Sequence, residues 1–215
     1  MSKDARIITI IGLLSLILII GGVFFLNKPG KNPASTAIDT SRLVRSDSQK
    51  IASDAAKVTI VEFADFECPA CGVAHPTTQK ILADYKGRIN YVFRHFPLPQ
   101  HKNGMKAALA AEAAGEQGKF WEMYNLLFEK QEEWSKETDP RTKFLEYAKS
   151  FGSDTNKFQE AVNSNKFADK IQNDKEDGLA LGINSTPTFF INQQKLTGAP
   201  SYEEFKAAID SELSK

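Results

Sequence analysis

Two cysteines separated by two residues are the side chains best suited to chemistry in this sequence. Cys68 and Cys71, in the segment Cys68-Pro69-Ala70-Cys71, are the only cysteines among its 215 residues. At the start of a helix, free backbone N–H groups and the helix dipole favour a thiolate on the first cysteine. Cys68 is therefore predicted to be an exposed nucleophile. Cys71, nearly one turn deeper, is predicted to be shielded and to resolve mixed disulfides at Cys68.

Two other uses of the pair remain open from the residues alone. As a structural staple, a four-residue loop stabilises by only about 1.9 kcal/mol in the chain-entropy model, against about 3 kcal/mol for 15 residues. A zinc site could combine Cys68 and Cys71 with His75, but no second pair of ligands completes a set of four. The acids Asp65 and Glu67 would disfavour a thiolate at Cys68 if their charges faced it.

The elements that must position the cysteines can be predicted from residue patterns. A β-branched and aromatic run over Val58–Phe66 predicts a buried strand, and a helix follows through Cys71 to Tyr85. Ile89–Phe96 predicts a second strand. The chain from Lys102 to about Gly182 is predicted to be helical, with an apolar stripe over Phe120–Phe128. The closing part is predicted to be a hairpin at 188–196 and a helix capped by Ser201 with Glu204 and ending near Leu213.

The predicted order is therefore β-α-β, a block of helices, then β-β-α. A β-α-β unit with short links implies parallel strands. This order predicts an α/β sandwich with a helical insertion at about 102–182. About 160 residues are enough for one ordinary core.

Three segments together resemble the DsbA-like thioredoxin-fold oxidoreductases, particularly their membrane-anchored bacterial members. They are EFADFECPACG around the cysteines, YVFRHFPL in the second strand, and STPTFFINQ near the end. The resemblance runs from about Leu43 to the C-terminus. It implies a thioredoxin-like fold whose cysteine pair exchanges disulfides with proteins.

The resemblance also implies roles for three further residues. Thr186-Pro187 matches the family's cis-proline pair, which lies against the cysteines, and Thr186 would offer its backbone to a substrate peptide. Glu62 matches the family's buried acid beneath the active site. A buried carboxyl there would have a raised pKa and could relay the proton that Cys71 loses or gains.

The function implied is the introduction of disulfides into exported, cysteine-containing proteins, with a membrane oxidase or reductant recycling the pair and no cofactor or metal. One departure is Ala70, which stands where strong oxidants of the family carry histidine, so a milder oxidant, an isomerase or a reductase of the same fold stays open. A non-enzymatic, membrane-anchored binding module with a structural disulfide is the other alternative. Equal numbers of basic and acidic residues, 27 each, argue against nucleic acid as a partner.

The N-terminus predicts attachment to a membrane. Residues 7–26 contain no charge and no proline, and a helix of that length matches the hydrocarbon core of a bilayer. We expect a short tail at 1–6, a single uncleaved transmembrane anchor at 7–26 and a flexible stalk at 27–53, with a short strand at Leu43-Val44. The domain at 54–215 is then expected outside the cytoplasm of a bacterial cell, because disulfides persist there.

Overall fold

The computed structural model describes residues 38–215, in which helices cover a central five-stranded sheet. The strands are β1 (Gln49–Ile51), β2 (Val58–Ala64), β3 (Ile89–His95), β4 (Thr188–Ile191) and β5 (Gln194–Thr197). The helices are α1 (Pro69–Asp84), α2 (Gly104–Gly115), α3 (Phe120–Glu129), α4 (Gln131–Trp134), α5 (Arg141–Ser150), α6 (Thr155–Asn163), α7 (Ala168–Ala180) and α8 (Tyr202–Leu213). A 3₁₀ turn covers Thr40–Arg42. The β-α-β, helical block and β-β-α order predicted from sequence is confirmed.

The strand order β1-β3-β2-β4-β5 places β2 at the centre of the sheet. β2 and β3 are parallel, as a β-α-β unit requires, and the other neighbouring pairs are antiparallel. Glu62 on β2 lies beside Phe93 on β3 and Phe189 on β4. The cysteines follow the carboxyl end of this central strand, so the sheet holds their position from both sides.

Alternate residues of the central strands enter two apolar layers, as the pleat of a strand requires. On one face the strands pack against α1 and α8, and the buried residues there include Val58, Ile60, Ala74, Ile81, Phe189, Phe205 and Ile209. On the other face the buried residues are Leu43, Val61, Phe63, Val92, Phe96, Ile183 and Phe190. The last helix begins with the predicted capping box of Ser201 and Glu204.

The insertion from α2 to α7 has an aromatic and alanine-rich core of its own, which continues to the segment before the cysteines. Phe120, Tyr124, Leu127 and Phe128 are all buried, so the predicted apolar stripe is confirmed as core. Phe66 links this core to the sheet, since its ring lies 5.0 Å from that of Phe93 and 4.9 Å from that of Phe128.

The predicted stalk is wrong in its C-terminal part. Leu43 is buried, and the residues at 43–44 follow the 3₁₀ turn and do not form a strand. The strand lies at Gln49–Ile51 and pairs with β3. The physical reason is Arg94, a fully buried cation on β3 whose Nη1 donates to the carbonyls of Arg42 and Leu43 at 2.8 and 2.7 Å. A buried charge needs such acceptors, and the N-terminal segment supplies them.

The predicted anchor at 7–26 lies outside the described residues. Among residues 38–215, none of the helices combines the length and the apolar character needed to span a bilayer.

Candidate active site

Cys68 is the N-cap residue of α1, and Pro69 occupies the first position of the helix. Proline suits this position because a backbone N–H there has no partner inside the helix. The backbone of Cys68 is extended (φ −70°, ψ 121°), and its carbonyl accepts from the N–H groups of Cys71 and Gly72 at 3.0 and 3.2 Å. The two cysteines therefore share one helical turn, with Cys68 at its start. This is the placement predicted from sequence.

Both thiols are free, and they differ in their surroundings. Cys71 is fully buried, whereas Cys68 retains 6% of its accessible surface. Cys68 is thus the more accessible of the two but is less exposed than predicted, because the carbonyl of Thr186 lies against its sulfur. The Cys68 Sγ–H donates to that carbonyl at 3.4 Å.

Hydrogen bonds lower the pKa of Cys68 to about 5, against an ordinary value of 9.0. The largest cause is the neighbouring thiol of Cys71, which donates to the Cys68 sulfur. The backbone N–H groups of Cys71 and Ala70 act in the same direction, while burial opposes them. For Cys71, burial comes first, followed by its interaction with Cys68, and both hold the pKa of that thiol well above the ordinary value. The two pKa shifts have the directions expected of a thiolate favoured at Cys68 and a shielded thiol at Cys71.

Thr186 and Pro187 lie where the resemblance implied. Their peptide bond is cis, and Thr186 is buried against Cys68. The Thr186 hydroxyl has no hydrogen-bond partner within residues 38–215. β4 begins immediately afterwards at Thr188, so the sheet fixes this loop beside α1.

Glu62 is buried on β2, beneath the cysteines. Burial raises its pKa from 4.5 to about 7, although hydrogen bonds from two tyrosines lower it. The Tyr91 hydroxyl donates to Glu62 Oε2, and the Tyr124 hydroxyl lies 3.3 Å from the same oxygen. The charge of Glu62 also contributes to the raised pKa of Cys71, so the two groups are close enough to influence each other.

The two tyrosines were not identified as site residues from sequence. Tyr91 was predicted to be part of a strand, and Tyr124 to be part of an apolar core stripe, and both predictions are correct. A signal was present nevertheless, because a tyrosine hydroxyl on a buried face needs a polar partner. The sequence did not reveal that Glu62 is the polar partner of both tyrosines, since these hydrogen bonds join residues far apart in the chain.

The acids beside Cys68 are occupied by other partners. Asp65 accepts from the backbone N–H groups of Glu67 and Leu98 at 2.9 and 2.8 Å, and its Oδ2 lies 2.6 Å from His101 Nδ1. Glu67 accepts from the backbone N–H of Asn103 at 2.5 Å. These contacts tie the segment before Cys68 to the loop that follows β3.

The zinc alternative finds no support at this site. The His75 ring packs against the rings of Tyr124 and Phe128, with centroids 5.2 and 5.1 Å away, and burial lowers its pKa to about 4. Among residues 38–215, no three or more His, Cys, Asp and Glu side chains are grouped so that they could hold a metal ion.

Comparisons with known proteins agree with this geometry. The family model described as "Thioredoxin" matches residues 47–211. The structure of alpha-DsbA1 from Wolbachia pipientis superposes with a TM-score of 0.72 and 27% identity, over 80% of this chain and 94% of that one. The structure of oxidised BdbD from Bacillus subtilis superposes with a TM-score of 0.71 and 29% identity, over 78% of this chain and 94% of that one.

Sequence relatives include proteins of a different overall kind. The Na(+)/H(+) antiporter NhaA 3 of Salinispora tropica is 40% identical over 157 residues, which are 73% of this chain and 23% of the antiporter. The NhaA antiporter of Herminiimonas arsenicoxydans is 31% identical over 156 residues, or 24% of its length. This chain therefore spans about a quarter of the length of these curated relatives.

The family match covers most of the domain, and the solved structures that superpose on it over nearly their whole length include DsbA-type enzymes. The helix-capping cysteine pair lies within that match. The chain belongs to the thioredoxin family, and its structural neighbours include DsbA-type proteins.

Proposed function

We propose that this enzyme introduces disulfides into exported, cysteine-containing proteins by exchange through Cys68 and Cys71. The observation that carries this proposal is the difference between the two thiols, with the pKa of Cys68 lowered to about 5 and that of Cys71 raised. A thiolate that is stable at neutral pH stabilises the reduced form of the pair. A pair whose reduced form is stabilised takes electrons from other thiols, and this is the property of an oxidant.

The exchange proceeds in two balanced steps. A substrate thiolate attacks Cys68 Sγ of the oxidised pair, the Cys68–Cys71 bond breaks, and Cys71 takes up a proton as it leaves. A second thiolate of the substrate then attacks the substrate sulfur of the mixed disulfide, and Cys68 leaves as a stable thiolate. The substrate loses two electrons and gains a disulfide, and the cysteine pair is left reduced.

Glu62 is proposed to supply the proton that Cys71 needs. With a pKa of about 7, this carboxyl is partly protonated near neutral pH and can give up or recover a proton. Its position beneath Cys71 and its two tyrosine partners support this role. Thr186 is proposed to bind the substrate main chain beside Cys68, with Pro187 holding the loop in place, because its carbonyl already lies 3.4 Å from the sulfur.

The proposed location is the outer side of a bacterial cell membrane, with residues 7–26 as the single anchor. An oxidase must work where disulfides persist, and a membrane oxidase would return the pair to its disulfide form. A membrane-impermeant thiol reagent applied to reduced, intact cells should label Cys68. Labelling only after lysis would contradict this location.

Ala70 supports a second candidate function, that of an isomerase or reductase of the same fold. Its side chain brings no positive charge to stabilise the Cys68 thiolate. The equilibrium potential of the pair against glutathione distinguishes the candidates. We expect a value above that of thioredoxin, which is about −270 mV, and a value near −270 mV would favour the reductase.

The assignment of the two cysteines has its own test. Cys71→Ala removes the resolving thiol, so substrates should remain attached to Cys68 as mixed disulfides that a reductant releases. Cys68→Ala is the matched control and should trap none, since Cys71 is buried. Equal trapping by both variants would show that the assignment of nucleophile and resolver is wrong.

A further inference from the structure

Gln131, the first residue of α4 in the helical insertion, contacts the backbone of the active-site segment. Its Nε2 donates to the carbonyl of Phe66 at 2.7 Å and to that of Cys68 at 2.9 Å. Both acceptors are carbonyl oxygens, and only the amide nitrogen of glutamine can donate to them, which settles how the carboxamide is turned. One side-chain amide thus holds two backbone carbonyls two residues apart, the second belonging to the proposed nucleophile.

The element that carries Gln131 is firmly held. Trp134, also on α4, is fully buried, and its indole N–H donates to the carbonyl of Leu127 on α3 at 2.7 Å. Its ring also packs edge-on against Phe144, with centroids 5.2 Å apart. These contacts give the Gln131 amide a rigid base, although the residue lies 63 positions from Cys68 in the chain.

Gly72 provides the space that the Gln131 carboxamide occupies. A methyl group on this glycine would lie 2.7 Å from Gln131 Oε1 and 3.2 Å from its Cδ. Gly72 is inside α1, where glycine is a poor helix former. Its presence therefore has a local explanation, because the close approach of Gln131 leaves no room for a Cβ.

We propose that Gln131 is a positioning residue for disulfide exchange, which holds the Cys68 backbone so that its sulfur stays against the N–H groups at the start of α1. The inference deepens the proposed function, since it rests on Cys68 being the nucleophile. Gln131 touches no reacting atom. It acts through the Cys68 carbonyl, which also accepts from Cys71 and Gly72, and the positive end of its amide lies next to the residue that carries the thiolate.

Few charged groups compete with this effect around Cys68. Cys71 is the titratable neighbour on α1, and Thr186 contributes a carbonyl and a hydroxyl from the loop before β4. On the segment before the cysteine, Asp65 is engaged by His101 and by backbone N–H groups, and Glu67 is engaged by a backbone N–H. A change at Gln131 should therefore act mainly on the Cys68 thiolate.

The test measures the thiolate absorption of the reduced protein against pH, together with the potential of the pair against glutathione. Gln131→Ala should raise the midpoint of the Cys68 titration by about one pH unit, a tenfold loss of thiolate stability. The same tenfold loss should lower the potential by about 30 mV. Gln131→Glu should shift both further, because it replaces the donor by a carboxylate of nearly the same shape.

Gly72→Ala tests the same contact from the other side and keeps Gln131 in the protein. The added methyl should displace the flexible end of Gln131 and reproduce the shift caused by Gln131→Ala. In the double variant the second change should add little, since the contact is already lost. Gln117→Ala is the matched control. This glutamine also joins two parts of the insertion through the backbone of Asp154, at 2.8 and 3.2 Å, but lies away from the cysteines.

Different results would refute the positioning role of Gln131 and the proposed function of the protein. A normal titration and potential in Gln131→Ala, with or without a loss of stability, would leave Gln131 a purely structural residue and overturn the inference. Additive shifts in the double variant would also overturn it. An ordinary cysteine titration in the wild-type protein would instead refute the proposed function, and the inference with it.

Discussion

Replacing the buried acid Glu62 by glutamine is predicted to affect the stability of the fold in the direction opposite to the same replacement at a second buried acid, Glu112. Both are almost fully buried, but their partners differ. Burial raises the pKa of Glu62 from 4.5 to about 7. Burial alone would raise the pKa of Glu112 as well, but the hydrogen bond to His95 and the charges of His95 and Lys170 lower it to about 2. The same substitution, Glu→Gln, should therefore change stability differently at the two positions.

The magnitude for Glu62 follows from linkage. An acid whose pKa is raised on folding contributes its full stability below its unfolded pKa and loses it as the pH rises through the folded pKa. The interval between 4.5 and about 7 corresponds to about 3 kcal/mol, most of which is lost between pH 5 and pH 8. Glu62→Gln removes this loss, because an amide does not titrate. Relative to wild type, the free energy of unfolding of the variant should therefore rise by about 2–3 kcal/mol between pH 5 and pH 8.

Glu112 behaves in the opposite way. Its lowered pKa contributes stability above pH 4.5 that is lost only as the pH falls through about 2. Glu112→Gln should therefore be less stable than wild type at pH 5, by about 3 kcal/mol.

Urea unfolding of the reduced proteins at the two pH values measures both effects. Comparing each variant with wild type at the same pH cancels the titration of all other groups, including Cys68. A Glu62→Gln difference that does not change between pH 5 and pH 8 would show that Glu62 is already ionised at pH 5. The account of its burial, and with it the proposed proton transfer to Cys71, would then be wrong.

Three further substitutions test the packing by urea unfolding. Arg94→Ala should cost about 3–5 kcal/mol, because it leaves the buried carboxylate of Asp174, 2.7 Å away, without its partner, and a cost below 1 kcal/mol would show that water replaces the arginine. Gly178→Ala should cost about 1–3 kcal/mol, since its methyl would lie 2.7 Å from the Phe96 ring, and an unchanged stability would mean that α7 shifts freely. Asp154→Ala removes the N-cap of α6 and should cost about 1 kcal/mol; no loss would mean that water caps the helix equally well.

Local patterns were sufficient to predict most of the elements and the position of the cysteines. The strand at Val58–Ala64, the helix from Pro69 and the capping box at Ser201 each depend on neighbouring residues, and the structure has each within two residues of its predicted start. Local sequence also indicates which cysteine caps the helix. Burial of Glu62 did not follow from alternation along the strand, since it depends on what covers that face, and only the family resemblance implied it.

Contacts between distant parts of the chain could not be predicted in the same way. The N-terminal segment is polar enough to suggest a stalk. Nevertheless, Arg94 donates hydrogen bonds to the carbonyls of Arg42 and Leu43, about 50 positions earlier in the chain, and so holds this segment against the fold. Gln131 reaches Cys68 from a helix of four residues whose sequence gives no sign of that contact. In both cases a side-chain N–H group donates a hydrogen bond to a buried backbone carbonyl. A pattern of apolar residues contains no information about which side chain will make such a hydrogen bond.

Ala70 illustrates how far the surroundings of a thiol can compensate for a missing side chain. From the sequence, its lack of charge predicted a Cys68 thiolate less stabilised than in the strong oxidants of the family, which carry histidine there. The structure gives a pKa of about 5, which lies between the values of about 7 for thioredoxin and about 3.5 for DsbA. The stabilising donors are the Cys71 thiol and the backbone N–H groups at the start of α1, so none of them depends on the side chain at position 70. A cation at that position would add to this set of donors. Its absence is therefore compatible with an oxidase of intermediate strength.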